Sequence, residues 1–194
     1  MGNLKRLKEI IECIEDFETR TNVVNTLDIQ GRTALYISSI IGQTKVIKFL
    51  IECGANVNIS TNSYDTHPGS TPLMICAERG NLVCFAVLIQ NGANIFSKRN
   101  DGIDATYIAS TKGSLDILKY IISLDASLIH REIQKGRSAM FAAALNENFD
   151  ICKLLYANGV ELNKNNDFGS MPIMLAAGKG NLELVKWMVE DRKS

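Results

Sequence analysis

Apolar residues in this chain recur in short runs at helical spacing rather than in one long stripe. Leu73, Ile75, Cys76 and Ala77 form a compact apolar set after Thr71-Pro72, and beyond Gly80 follow Leu82, Val83, Phe85, Ala86, Leu88 and Ile89. Thr71 before Pro72 is a helix start, because the hydroxyl can cap the first turn and proline sits where a missing N–H costs nothing. Asn91-Gly92 is the matching stop, since glycine adopts the left-handed conformation that closes a helix. The pattern predicts two antiparallel helices per unit, joined at the glycine between them.

The same pattern returns along the chain with a period of about 33 residues, which marks a repeat architecture. It is keyed by Gly31, Gly69, Gly102, Gly136 and Gly169, with a second glycine later in four of the units at Gly42, Gly80, Gly113 and Gly180. Small residues at Ala77, Ala109, Ala143 and Ala176 allow neighbouring helix pairs to approach closely. The expected organisation is one array over residues 1–194: a partial unit 1–27, then units 28–60, 61–98, 99–132, 133–165 and 166–194. Extra residues at 59–68 lengthen one loop, and insertions of this kind go to one face of an array. Within that loop Tyr64, Asp65 and His67 are candidates for recognition, against the plainer reading of a tolerated polar insertion. Gly2-Asn3-Leu4 repeats the second-helix phrase of Gly180-Asn181-Leu182, so the chain is expected to begin inside a unit and to end inside another, as a piece of a longer polypeptide. Trp187 and Met188 do not read as a polar terminal cap, although Glu190-Asp191-Arg192-Lys193 offers charge there.

These units resemble ankyrin repeats. The resemblance is carried by Asp28-x-x-Gly31-x-Thr33-Ala34-Leu35, by Thr71-Pro72-Leu73, and by the closing phrases Gly54-Ala55-Asn56-Val57-Asn58 and Gly92-Ala93-Asn94-Ile95. It covers nearly the whole chain and implies an all-α solenoid of stacked helix pairs. Departures from the family phrase carry expectations of their own. The family's histidine is replaced by Tyr36, Met74, Tyr107, Phe141 and Met174, which predicts a thinner, more apolar network between units. The capping threonine becomes Asp104 and Ser138, which still accept a backbone N–H, and Met171, which cannot. Asp125 and Glu147 stand where glycine is expected and should fray or reshape those helix ends. Together these predict that the third to fifth units are the softer ones.

Composition narrows the function classes. Twenty-one basic residues balance twenty-one acidic ones, so no global field draws the protein to nucleic acid or an anionic membrane. No apolar stretch is long enough to span a bilayer, the first residues lack a secretory core, and Arg6 stands where an N-myristoylation motif requires Ser or Thr. An intracellular address is expected, cytoplasmic with the nucleus as an option. Cys13, Cys53, Cys76, Cys84 and Cys152 lie in or at the edge of apolar runs and read as small core residues. His67 and His130 stand beside no cysteine, so no metal site is expected, and no cofactor. Phosphate loops, nucleophile elbows and paired zinc histidines are missing from the sequence, which points away from an enzyme and from a small-molecule substrate.

What remains is protein binding, and the resemblance implies where. Ankyrin arrays bind through hairpin tips and the exposed ends of the first helices, which form a concave groove. Carried over unit by unit, that groove holds Ile29, Arg32, Ile40 and Ile41, then His67, Glu78 and Arg79. It continues with Asp101, Ile103 and Lys112, then Lys135, Arg137 and Leu145, and ends with Phe168 and Lys179. Bases outnumber acids in this set, so a mildly basic groove is expected, with Ile40, Ile41, Ile103 and Phe168 as apolar anchors for a partner of acidic and apolar character. The expected role is a non-catalytic adaptor or scaffold. The alternative is a regulatory or spacer segment of a larger protein. Asn58 and Asn163 resemble turn asparagines that are hydroxylated in some family members, and local turn chemistry also accounts for them.

Overall fold

The computed structural model describes residues 2–190. The charges expected at Asp191, Arg192 and Lys193 lie outside the described residues. The chain forms two compact units, Met1–Asn100 and Asp101–Ser194.

In the first unit the helices are α1 (Gly2–Glu12), α2 (Phe17–Val24), α3 (Ala34–Ile41), α4 (Thr44–Glu52), α5 (Pro72–Arg79) and α6 (Leu82–Gln90). The pairs α3/α4 and α5/α6 stack so that α3 packs on α5 and α4 on α6. Fully buried Leu35, Ile47, Leu50, Leu73, Phe85 and Leu88 fill the space between them. The periodicity did not predict α2. Asp16 starts it as an N-cap, accepting the backbone N–H of Thr19 at 2.6 Å.

In the second unit the helices are α7 (Ala105–Lys112), α8 (Leu115–Leu124), α9 (Ala139–Leu145), α10 (Phe149–Ala157), α11 (Pro172–Gly178) and α12 (Leu182–Glu190). Here α7, α9 and α11 form one row of first helices, and α8 packs on α10. The row closes tightly because Ala109, Ala142, Ala143, Ala144 and Ala176 are all fully buried. Between α8 and α9 lies a 3₁₀ turn at Ala126–His130 and a two-stranded antiparallel hairpin, β1 (Glu132–Ile133) with β2 (Arg137–Ser138).

Helix ends follow the residue chemistry. Thr33, Thr71, Asp104 and Ser138 each accept the N–H three residues on, whereas Met171 makes no side-chain cap. Asp125 reshapes its helix end: it is extended and caps the 3₁₀ turn through Ser127. Glu147 instead takes the left-handed conformation glycine would occupy, at φ 59°, so the turn is kept at the cost of side-chain crowding.

Two expectations are corrected. Hydrogen bonding between helix pairs is relocated to asparagines rather than lost. Asn25 donates to the Gly54 carbonyl at 3.0 Å and accepts from Asn56 N–H at 2.8 Å, and Asn58 does the same with Gly92 and Asn94. In the second unit Asn148 donates to the carbonyls of Ser110 and Thr111. Meanwhile Tyr36, Tyr107 and Phe141 are buried, as apolar replacements should be. The second correction concerns Cys13, which is exposed because it lies just past the end of α1, while the other four cysteines are buried.

Candidate protein-binding surface

Asp28 organises the first hairpin tip. Its carboxylate accepts the N–H groups of Gln30 and Arg32, both at 2.9 Å, and pairs with the Arg32 guanidinium at 2.7 Å. The backbone bond from Arg32 does most to hold the Asp28 carboxyl below its usual range, desolvation opposes it, and the Arg32 guanidinium adds to the lowering. With both ends of the tip tied down, Ile29 is left 81% exposed at its apex.

The inserted loop is folded rather than slack. At its base, buried Thr61 and Ser70 bond to each other and to the His67 carbonyl, with Ser70 Oγ donating at 2.6 Å. Asn62 Oδ1 then accepts Tyr64 N–H, and Asp65 Oδ1 accepts His67 N–H, two side-chain turns in succession. Asn62 also ties the loop to the preceding tip, donating its amide to the Ile29 carbonyl at 3.1 Å and its N–H to that of Gln30 at 3.0 Å. The result is a rigid platform that leaves Tyr64 74% exposed and His67 exposed. Behind it lies the buried Tyr36, whose hydroxyl bonds with Ser70. Burial, with the charges of Asp65 and Glu78, pushes that phenol up to about 12. At the helix ends of this unit Ile41 is 65% exposed, Ile40 and Glu78 are half-buried, and Arg79 is exposed.

In the second unit Asp101 is exposed and accepts the N–H of Ile103. Ile103 is half-buried against Tyr107, Ile133 and Ala142. Beneath it the buried Asp104 caps α7 and meets Arg131 Nη1 at 3.8 Å, and the Arg137 guanidinium lies 5.5 Å from the Tyr107 ring. The β1–β2 turn places Lys135 at φ 68°, and its carbonyl accepts Asp167 N–H at 3.1 Å. Gly136 must lack a side chain: a Cβ there would come within 2.9 Å of Asp167 N. Two further links join these tips. Lys164 Nζ meets Glu132 at 2.6 Å, and Lys135 Nζ stands 5.8 Å from the ring of Phe168, itself 71% exposed. Lys112 and Lys179 are exposed at the helix ends, and Leu145 is half-buried.

Among the described residues no cluster of His, Cys, Asp and Glu could hold a metal ion, and no helix is long and apolar enough to cross a membrane. Asn58 is engaged at both ends of its amide, whereas the buried Oδ1 of Asn163 has no hydrogen-bond partner. Sequence reasoning missed the anchoring role of Asn62 and the Glu132–Lys164 pair. The first had a local signal in the Asn62-x-x-Asp65-x-His67 spacing of side-chain turns. The second had none, because it depends on two tips from different repeats meeting.

Family models described as "Ankyrin repeats (3 copies)" match residues 2–99 and 59–132, and one described as "Ankyrin repeats (many copies)" matches residues 139–189. Similar proteins include the nuclear factor NF-kappa-B p105 subunit of Gallus gallus, 27% identical over 92% of this chain and 18% of that protein. The ankyrin repeat and KH domain-containing protein mask-1 of Caenorhabditis elegans is 29% identical over 86% of this chain and 6% of that protein. The B-cell lymphoma 3 protein homolog of Mus musculus is 25% identical over 97% of this chain and 41% of that protein. The chain thus spans less than half the length of each of these relatives.

Proposed function

Since this chain belongs to the ankyrin-repeat family, a non-catalytic interaction fold, we propose that it is a protein-binding module of the adaptor or scaffold kind that engages its partner through hairpin tips and first-helix ends. The observation that carries this reading is the pairing of rigidity with exposure. Ile29, Tyr64 and Phe168 are highly exposed on loops whose backbones are held by several hydrogen bonds, so little loop ordering opposes binding. The partner in this reading is a protein segment of acidic and apolar character, met by Ile29, Ile41 and Phe168 and by Arg79, Lys112, Lys135 and Lys179. Neither nucleic acid nor a small molecule is the ligand, and the setting is intracellular.

Photo-crosslinking tests the assignment. A photoreactive side chain at Ile29, Ile41 or Phe168 should capture partner from native lysate, while one at exposed Val83 on α6 should not. Capture at Val83 alone would move the binding surface to the second helices. The second reading, a regulatory or spacer segment of a larger protein, draws support from the small share of each relative that the chain covers. Hydroxylation of Asn58 or Asn163 is checked by intact-mass analysis of native protein. Of the two, Asn163 has the acceptor atom left without a partner.

A further inference from the structure

Two of the buried cysteines meet inside the first unit. Cys76 on α5 and Cys84 on α6 are fully buried free thiols, and they hydrogen-bond to one another where the two helices pack together. Cys84 has a second partner, the Thr44 hydroxyl at 3.2 Å, which comes from α4 of the neighbouring helix pair. It also stands in the first turn of α6, where Asn81 accepts its backbone N–H at 3.1 Å and the helix start favours negative charge.

The two thiols are unequal. When Cys84 is ionised, the Cys76 S–H and the Thr44 O–H can both donate to it. The Cys76 bond does most to hold the Cys84 thiol below its ordinary range, burial opposes it, and Thr44 adds to the lowering. The same bond, with burial, pushes Cys76 up. Cys76 also meets Ser39, but that hydroxyl donates its proton to the Leu35 carbonyl at 2.8 Å. At Cys53 and Cys152, by contrast, burial is the leading influence and pushes the thiol up. A thiolate in contact with a second thiol holds both parts of a redox pair, one sulfur to attack an oxidant and one placed to resolve the product. Thr44 is half-buried, so Cys84 lies a single side chain below the surface, within reach of a small oxidant.

We propose that Cys76 and Cys84 form a redox-responsive modification site that a small hydroperoxide closes to a disulfide. The Cys84 thiolate attacks the peroxide: an S–O bond forms, the O–O bond breaks, and the leaving hydroxide takes up a proton as water. Cys76 then attacks the Cys84 sulfur. An S–S bond forms, the S–O bond breaks, and a second water leaves with the Cys76 proton. Two thiols are oxidised and one peroxide is reduced to two waters. The link joins α5 to α6 within one helix pair, in place of the thiol hydrogen bond, and it is independent of what binds the hairpin tips.

Peptide mapping of the full chain tests this. The reduced protein is treated with hydrogen peroxide while folded, then unfolded, alkylated with iodoacetamide and digested with trypsin. Cleavage after Arg79 falls between the two cysteines, so their disulfide should appear as two joined peptides that dithiothreitol separates. Fragmentation should place the link on Cys76 rather than on Cys53, which shares its peptide. Cys76→Ser should stop the reaction at a Cys84 sulfenic acid that dimedone captures, and Cys84→Ser should leave Cys76 reduced. Thr44→Val, which removes a donor at nearly constant shape, should slow disulfide formation severalfold. Unchanged circular dichroism checks that each variant folds. If Cys76 and Cys84 are still alkylated after peroxide has consumed the exposed Cys13, the pair is packing alone and the proposal is overturned. A disulfide that forms only in urea, or that joins Cys84 to Cys53 or to another chain, overturns it as well. So does oxidation of Cys76 that runs equally fast in Cys84→Ser.

Discussion

The two units are written in the same repeat yet present different surfaces and different helix ends. In the first, Arg32 is held by Asp28 and Arg79 follows Glu78 in sequence, and Ile29, Ile41 and Tyr64 are the salient exposed groups. In the second, the corresponding sequence positions carry Lys112, Lys135, Arg137 and Lys179 beside the acids Asp101 and Asp167, and Phe168 is a large apolar group that is highly exposed. If these positions form the proposed binding surface, its basic side chains lie mainly in the second unit. The first unit keeps Thr33 and Thr71 as caps and Gly42 and Gly80 as left-handed stops, whereas the second has Met171 without a cap and Glu147 at positive φ. Buried positions fix the repeat, and tips and termini are free to diverge because they touch little of the core.

The largest effect that separates the units is alkaline. The phenol of Tyr36 titrates near 12 when folded, above its ordinary 10.0, so the folded state favours the protonated form. That stability is fully present below pH 10 and is lost as pH rises towards 12, an amount of about 1 to 2 kcal/mol once solvent screening is allowed for. Tyr36→Phe should remove this steep loss, measured by urea unfolding at a series of pH values. Tyr107 is also raised by burial, but Arg137 lowers it, so Tyr107→Phe should flatten the curve less. Equal effects from the two variants would erase this distinction between the units.

Helix ends come next. Replacing Glu147 by Gly relieves a left-handed non-glycine residue and should stabilise the second unit by about 1 kcal/mol. Met171→Thr should add a similar amount by supplying the missing cap. The chain's single tryptophan, Trp187, reports on that unit directly, packed edge-on against Phe149 at 5.4 Å and Tyr156 at 5.6 Å. Its fluorescence transition should move to higher denaturant in both variants. If the untreated protein already unfolds with coincident fluorescence and circular dichroism transitions, the expectation that the later repeats are softer fails.

Much of the fold was legible because each repeat states it again. Thr-Pro starts, glycine stops and helical spacing gave α3 to α12 without long-range information, and the alanine row foretold the tight packing of first helices. What escaped depended on partners distant in sequence or on a residue serving an unfamiliar role. Asp16 starts α2 in a stretch with no apolar periodicity, and the asparagines at 25, 58 and 148 took over hydrogen bonding expected from a histidine position. For the surface, sequence placed Ile29, Ile41 and Phe168 on tips or helix ends where they are indeed exposed. It could not foresee that Ile103 folds back onto Tyr107 and Ile133, because that depends on the β1–β2 hairpin beside it.

The inserted loop offers a sharper test of the first unit's rigid platform. Asn62→Ala deletes the amide bond to Ile29 and the side-chain turn to Tyr64, at a cost of about 1 kcal/mol. Amide exchange at Tyr64 and His67 should quicken while that of α4 is unchanged. Partner binding should weaken mainly through faster dissociation, since the loop then has to order on contact.

The smallest effect tests the charge contrast itself. Lys112→Glu and Lys179→Glu alter exposed groups on the second unit, and exposed charges act chiefly on association rate and salt dependence. Each should slow capture of an acidic partner by severalfold at low salt and by much less at 0.5 M, where screening shortens to a few ångström. Arg79→Glu on the first unit should do less at either salt, because Arg79 is a single base that follows Glu78 in sequence, whereas the second unit exposes several lysines. Were Arg79→Glu the more damaging change at low salt, the partner's acidic segment would have to sit on the first unit, and the apolar anchors Ile29 and Ile41 would then lie in the same footprint as the charge.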